Sequence, residues 1–202
     1  MKKILAILIM FAAPLLWAQG GGMGQGGGMG QGQAGTKPAP DKSKRPSPPG
    51  EAKFAFANGK TITVDYSRPK IRDPKTGEAR KIFGNVVPWG EPWRTGANEA
   101  TTFVTTADLV VGGTNVPAGS YTLYTLPEEN GEWKLIISKK TGQWGIPYPG
   151  EQYDFARIPM EVSKLPAPVE DFTISFAQSG GACTMQLDWE TTRASIQIRE
   201  KK

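Results

Sequence analysis

Apolar and polar residues alternate with a period of two in segment after segment from residue 54 onward, and this pattern constrains the fold more than any other. Such alternation, rich in β-branched and aromatic residues, is typical of strands buried on one face. The clearest segments are residues 61–66, 120–126, 132–137, 172–176, 183–189 and 194–198. Turn sequences rich in glycine and asparagine separate them, and no long segment has the period of a helix. The pattern therefore predicts an all-β domain, a single antiparallel β-sandwich of about eight to ten strands.

One long segment, residues 82–100, interrupts the alternation. It contains Trp89 and Trp93 among turn-forming residues and has few strand patterns. Long irregular connections inside compact domains are often functional loops, or plugs that cover an open end of a sheet. We therefore expect this segment to pack as an irregular loop across one end or one open face of the sandwich.

The first eighteen residues have the three parts of a secretory signal peptide. Two lysines precede an apolar run over residues 4–17, and the small Ala18 follows. An uncleaved membrane anchor is the alternative, but this run contains Pro14 and is shorter than the roughly 20 residues that cross a bilayer. No cysteine lies near the cleavage region, which excludes a lipid-anchored lipoprotein. The sequence thus predicts an exported protein, periplasmic or extracellular, with no membrane span after residues 1–18 are removed.

A compositionally biased segment follows the signal peptide. Residues 19–35 repeat a unit rich in glycine, glutamine and methionine, and residues 36–50 are rich in proline, lysine and serine. Such tracts carry too little apolar surface to offset the entropy cost of ordering the chain. We therefore predict a disordered linker over residues 19–50 and a folded domain over residues 51–200.

The positive charge of the chain is concentrated before the predicted domain. The formal net charge is +5, and six of the 24 basic residues precede residue 51, together with one of the 19 acidic residues. The remaining 18 basic and 18 acidic residues balance each other. Because a neutral domain has no basic face for phosphates, we do not expect nucleic acid as a partner.

The chain contains no histidine and a single cysteine, Cys183. Without histidine, a Ser-His-Asp triad, a Cys-His pair and histidine-ligated zinc or iron sites are impossible. Cys183 alternates in phase with Met185 and Leu187, so we expect its thiol to be buried rather than reactive. The sequence therefore predicts no metal ion and no cofactor, and it favours a protein that is not an enzyme.

The best candidate binding residues lie in the irregular segment. Trp93, Arg94, Asn98 and Glu99 place an indole, a guanidinium, an amide and a carboxylate close together along the chain. An indole stacks on the apolar face of a sugar ring, and the polar groups supply directional hydrogen bonds. The same groups would also anchor a buried loop, with Arg94 against Trp93 or Glu99 and Asn98 against the backbone. Both interpretations stay open.

Several motifs along the chain resemble those of a known family. They are residues 81–84, 87–90, 93–101, 117–121, 132–133, 143–145 and 189–193. The run over residues 87–101 is similar to the motif V-P-W/Y-G-x-x-W-R-T-G-A-N-E-A-T of a secreted bacterial family known only as a domain of unknown function. This resemblance covers about residues 54–198 and implies an exported all-β domain with no assigned activity, substrate or cofactor. The chain departs from the family pattern in its glycine-rich tract, in the proline-rich segment that follows it and in a longer loop at residues 71–79.

Three functional hypotheses follow. The leading one is a non-catalytic envelope protein that binds a polar small molecule or glycan through Trp93, Arg94, Asn98 and Glu99. The second is a hydrolase in which Glu99 and a further carboxylate such as Asp65 act as acid and base, which requires one shared cleft and one raised pKa. The third is a structural element of the envelope with the tryptophan segment as its buried core. The sequence does not specify an oligomeric state.

Overall fold

The computed structural model describes residues 41–202, which form ten strands and two short 3₁₀ turns, Lys42–Lys44 and Glu151–Tyr153. The strands are β1 (Pro49–Ala55), β2 (Thr61–Ser67), β3 (Thr101–Thr105), β4 (Leu109–Val111), β5 (Thr114–Val116), β6 (Gly119–Leu126), β7 (Lys134–Ser138), β8 (Asp154–Pro159), β9 (Glu161–Ser179) and β10 (Ala182–Glu200). The predicted signal peptide and residues 19–40 of the predicted linker lie outside the described residues. Within residues 41–202, no helix is long and apolar enough to span a bilayer.

The strands form two sheets, and every strand pair is antiparallel. The first sheet has the order β1-β2-β3-β6-β7-β8, and the second has the order β5-β4-β10-β9. The β4–β5 hairpin lies between β3 and β6 in sequence but belongs to the second sheet. This arrangement confirms the predicted antiparallel β-sandwich and its number of strands.

The main core contains side chains from both sheets. Phe103, Leu123 and Leu135 come from the first sheet, and Phe172 and Trp189 come from the second. Each of these side chains is at most 1% exposed. Burial of one such side chain stabilises a fold by about 1.5–3 kcal/mol. The free thiol of Cys183 is also buried in this core, as its phase in the alternation predicts.

The middle of the first sheet is buried on both faces. On β6, Leu123 belongs to the main core and the next residue, Tyr124, faces the opposite side, where it packs with Ile136 in a second cluster. Tyr148 covers this cluster from the connection between β7 and β8, and its ring lies edge-on to Tyr124 with the centroids 5.0 Å apart. Toward β2 the same outer face is open, and Asp65 is exposed there.

The two longest strands, β9 and β10, form a hairpin whose register shifts beside Trp189. The shifts lie between Asp188 and Glu190 and between Glu190 and Thr192, and Glu190 has a left-handed φ of 55°. Bulges of this kind bend a strand and redirect its side chains. Here the bulged strand presents the indole of Trp189 to the irregular segment.

Residues 82–100 form no strand in the described domain and pack as the predicted irregular loop. Phe83 and Trp89 stack with their centroids 5.8 Å apart, and Phe83 also lies edge-on to Trp133, just before β7. Trp93 exchanges two backbone hydrogen bonds of 2.8 Å with Thr125 near the end of β6. The segment therefore crosses the sandwich where β6 ends and β7 begins.

Candidate functional site

The second half of the irregular segment contributes to two clefts of the described domain. The first, which we call the sheet cleft, has a volume of about 300 Å³ and includes Asp65 and Thr102 from the outer face of the first sheet. The second, which we call the end cleft, has a volume of about 240 Å³ and includes Trp93 and Arg94. Of the four residues predicted from sequence, Trp93 and Arg94 line the end cleft, Glu99 lines the sheet cleft, and Asn98 lines neither.

The backbone of this segment is held in an unusual conformation. Thr95 and Asn98 have φ values of 52° and 57°, in the left-handed region that costs a non-glycine residue about 1 kcal/mol or more. The hydroxyl of Thr95 lies 2.8 Å from the hydroxyl of Thr125, and Thr101 donates a hydrogen bond of 2.7 Å to the carbonyl of Thr95. Because Thr95, Thr101 and Thr125 are fully buried, these bonds are shielded from water and maintain the turn.

Trp93 is half-buried and has two environments. Its indole stacks on Trp189 with the centroids 5.6 Å apart and the planes 19° apart, and it lies edge-on to Phe172. Its Nε1 donates a hydrogen bond of 3.0 Å to the carbonyl of Gly96. Trp93 and Trp189 both also line the end cleft. Trp93 thus anchors the loop, as one interpretation of the sequence predicts, and contributes surface to an opening as well.

Arg94 lies at the same cleft beside the exposed Trp144. Its guanidinium carbon lies 5.9 Å from the centre of the Trp144 ring, and Nη1 donates to the Trp144 carbonyl at 3.4 Å. Gly145, which follows Trp144, has a φ of 89°. A Cβ at this position would lie only 3.0 Å from the Cβ of Arg94, so Arg94 packs closely against the glycine backbone. Burial lowers the pKa of the guanidinium, which remains charged at neutral pH. Within residues 41–202, no carboxylate lies within 4.0 Å of Arg94.

Asn98 is directed toward the chain before β1. Its amide Nδ2 donates to the carbonyl of Ser47 at 3.0 Å and lies 3.2 Å from the hydroxyl of Ser67 on β2. One bond attaches the irregular segment to the backbone before β1, and the other attaches it to β2. Asn98 therefore joins the segment preceding β1, the irregular segment and the first sheet.

Glu99 is ion-paired with the same N-terminal segment. Its carboxylate lies 2.7 Å from Arg45 Nη1 and 3.2 Å from Lys42 Nζ. The hydrogen bond from Arg45, with further contributions from a backbone N–H and Lys42, lowers the pKa of Glu99 to about 2. The group is therefore an ionised carboxylate throughout the ordinary pH range.

The sheet cleft contains both carboxylates of the hydrolase hypothesis. Asp65 and Glu99 line it together, as do Lys42 and Arg45. A general acid requires a raised pKa, and Glu99 has a strongly lowered one. Gln143 borders the cleft and donates to the Lys140 carbonyl at 3.0 Å. The arrangement favours charge pairing by Glu99 over proton donation.

The end cleft combines an aromatic floor with a cationic rim. Trp93 forms the aromatic part with the buried Trp189 behind it, and the charged residues among the lining are Lys70, Arg80 and Arg94. Arg80 donates to the backbone carbonyls of Lys70 and Ile71 at 2.6 and 3.3 Å. Lys70 and Arg80 flank the loop at residues 71–79, whose length departs from the family pattern. Trp189 also lines the cleft, although it belongs to the main core and is only 1% exposed.

Residues 41–50, which the sequence analysis assigns to the linker, contact both clefts. Lys42 and Arg45 line the sheet cleft, and Pro46 and Ser47 line the end cleft. The N–H of Arg68 also donates to the carbonyl of Pro48 at 2.8 Å, directly before the β1–β2 pairing begins. Part of the candidate site thus precedes the first predicted strand.

Comparison with known proteins identifies the family of this domain. A family model described as "Protein of unknown function (DUF2911)" matches residues 47–198, from the segment before β1 to β10. No curated protein and no solved structure matches the chain. The family match agrees with the resemblance to a domain of unknown function, and it includes every residue from Ser47 onward that lines the two clefts. The chain therefore belongs to the DUF2911 family of proteins of unknown function.

Proposed function

We propose that the domain is a non-catalytic binding module that accepts a polar, ring-shaped ligand, such as a carbohydrate, in the end cleft. The observation that carries this proposal is the half-buried indole of Trp93, backed by the buried indole of Trp189, beside the guanidinium of Arg94 at one opening. Aromatic faces stack on the apolar face of a sugar, and a fixed guanidinium donates directional hydrogen bonds. The combination suits a ligand with one apolar face and several oxygen acceptors.

The size of the cleft supports a small ligand. Its volume of about 240 Å³ lies below the range of about 300–1,000 Å³ that is common for drug-sized ligands. One ring or the terminal ring of a longer glycan is therefore the expected occupant. Exposed Ile146 and Val86 at the same opening add apolar surface for a neighbouring unit.

The predicted binding residues divide into two roles in this proposal. Trp93 and Arg94 contact the ligand directly. Asn98 and Glu99 hold the segment in place through Ser47 and Arg45, so they act as positioning residues. Their loss would weaken binding by loosening the loop.

Two other functions are less well supported by the geometry. A purely structural role predicts no concave opening beside Trp93 and Arg94, and the end cleft is open there. The hydrolase hypothesis requires a carboxyl group with a raised pKa in the sheet cleft, and Glu99 has its pKa lowered to about 2. Binding at the end cleft is consistent with an open cleft and requires no carboxyl group with a raised pKa.

We also propose that the protein acts outside the cytoplasm. The support is the pattern of two lysines, an apolar run and Ala18 at the N-terminus. Fractionation of cells that express the full chain, followed by N-terminal sequencing, would detect a mature protein that begins near residue 19. A full-length protein retained in the cytoplasm would contradict export without affecting the binding proposal.

The binding proposal is tested by a glycan array that carries neutral and acidic glycans, probed with the native protein and with Arg94→Gln. We expect the native protein to retain a defined set of glycans and Arg94→Gln to lose them. Lys53→Gln is the matched control, because Lys53 lies on β1, outside the residues that line the end cleft, and is paired with Glu51. Thermal unfolding of each variant separates lost binding from lost folding. An array on which the native protein retains no glycan would reject the proposal.

A further inference from the structure

The lining of the end cleft carries a strong charge asymmetry. Lys70, Arg80 and Arg94 line it, and no acidic residue does so among residues 41–202. The rest of the domain gives no reason for such an excess, because the chain from residue 51 onward contains 18 basic and 18 acidic residues. The sheet cleft shows the balanced case, with Lys42 and Arg45 facing Asp65 and Glu99.

The charges of this rim are only weakly compensated within the described domain. Arg80 and Arg94 make hydrogen bonds to backbone carbonyls, which leave the positive charge in place. Lys70 lies 3.8 Å from Asp171 Oδ1, beyond ordinary hydrogen-bond distance. Half-buried cations that share a concave surface attract an anion more strongly than isolated surface cations do.

The position of the cations relative to the indoles indicates what kind of anion fits. Inorganic ions need no aromatic surface, whereas the half-buried Trp93, which stacks on the buried Trp189, offers one directly beside the rim. An acidic sugar combines a ring that stacks on an indole with a carboxylate or sulfate group that accepts paired hydrogen bonds from a guanidinium.

From these observations we infer that the ligand of the end cleft is an anionic saccharide, whose ring contacts Trp93 and whose carboxylate or sulfate group contacts Arg94 and Lys70. This inference rests on the proposed function and specifies its ligand class. Carboxylate and sulfate share the chemistry of anionic oxygens, and the experiment below distinguishes them.

The test compares sugars that have the same ring and differ only in the group at the exocyclic carbon 6. Galactose, galacturonic acid, the methyl ester of galacturonic acid and galactose 6-sulfate form one series, and the corresponding glucose compounds form a second. Inorganic sulfate is a further probe without a ring. Binding is followed by NMR titration of the indole N–H resonances, because the Nε1 groups of Trp93 and Trp189 are both hydrogen-bonded near the cleft.

We expect at least one acidic sugar to bind about tenfold more tightly than its neutral counterpart and its ester, which corresponds to one additional charge-assisted contact. Raising the salt concentration should weaken this binding and leave any neutral binding unchanged. Preference for the carboxylate or for the sulfate identifies the acidic group.

Charge-removing variants test the assignment to this cleft. Lys70→Gln and Arg94→Gln should each reduce the affinity for the acidic sugar about tenfold, whereas Lys53→Gln should not. Lys70 is exposed enough for its substitution to leave the fold intact, with 45% of its side chain accessible. Equal affinity for acidic and neutral sugars would overturn the inference and leave the binding proposal standing. If no sugar binds, both the inference and the binding proposal are overturned. Both are also overturned if inorganic sulfate binds as tightly as the acidic sugars do.

Discussion

The carboxylate of Glu99 lies 2.7 Å from the guanidinium of Arg45, a residue that precedes it by 54 positions in the chain. Next to this pair, the amide of Asn98 donates to the carbonyl of Ser47. The segment before β1 is thus joined to the loop that carries Trp93. The shape of both clefts depends on these contacts, since Arg45 lines one cleft and Ser47 lines the other.

Removal of the Glu99 charge should destabilise the domain in a pH-dependent way. The pKa of Glu99 is about 2, below its ordinary value of 4.5, because Arg45 and Lys42 stabilise the ionised form. The stabilisation is therefore fully present above about pH 4.5 and is lost as the pH falls toward 2. Glu99→Gln should lower the free energy of unfolding by about 0.5–1 kcal/mol at pH 7, since the pair is partly exposed. The difference from the native protein should shrink below pH 4.5.

Urea unfolding between pH 7 and 3 would measure this difference. Glu91→Gln is a matched control, because Glu91 is exposed and forms no ion pair within the described residues. A difference that stays constant across this pH range would show that the ion pair contributes nothing.

Deletion of the segment before β1 should also reduce stability. A chain that begins at Pro49 lacks the Arg45 partner of Glu99, the Ser47 carbonyl and the Pro48 carbonyl that accepts from Arg68. We expect a loss of about 1–3 kcal/mol, which lowers the melting temperature by several degrees. The comparison is a chain that begins at residue 41. Identical melting curves for the two shortened chains would show that this segment is a linker in function as well as in composition.

Asn98 should tolerate glycine better than alanine. Both substitutions remove the hydrogen bonds to Ser47 and Ser67 and should cost about 1–3 kcal/mol. Alanine also places a Cβ in the left-handed conformation, where φ is 57°, so it should cost about 1 kcal/mol more than glycine. Chemical denaturation of both variants measures the loss of the hydrogen bonds, which they share, and the cost of the Cβ, which is the difference between them. Equal stability of the two variants would show that the backbone relaxes out of this conformation.

Cys183 should not react with thiol reagents in the folded protein. Burial raises the pKa of its thiol to about 12, so almost no thiolate is present at neutral pH, and its side chain is inaccessible. Ellman's reagent should label it only after unfolding in concentrated guanidinium chloride. Rapid labelling of the native protein would reveal local opening of the β9–β10 hairpin.

Sequence patterns identified several strands but missed Thr101–Thr105, although burial alternates along it. Thr61–Ser67 and Ala182–Glu200 contain segments of clear alternation, and both are strands. Leu109–Val111 shows no alternation because all three residues are buried, so the periodicity did not single it out. The first half of Glu161–Ser179 contains two prolines, which a strand tolerates here because β9 lies at the edge of its sheet.

Local sequence also located the irregular segment, but not how its side chains are distributed. Trp93, Arg94, Asn98 and Glu99 are close along the chain, which turns through left-handed conformations at Thr95 and Asn98. Trp93 and Arg94 reach the end cleft, Glu99 reaches the sheet cleft, and Asn98 contacts Ser47 and Ser67. The basic residues that join Arg94 at the end cleft are Lys70 and Arg80, which lie 24 and 14 positions earlier in the same connection between β2 and β3. No local pattern connects these positions.

By itself, the sequence determined the fold class, the place of the irregular loop and the buried thiol, because each depends on the alternation of apolar and polar residues within a short stretch of chain. The division of the loop into two clefts, the role of the segment before β1 and the cationic rim were decided only by the tertiary structure. They depend on contacts such as Arg45 with Glu99 and Trp93 with Trp189, which join residues far apart in the chain. Long-range packing sets those distances, and local periodicity carries no information about them.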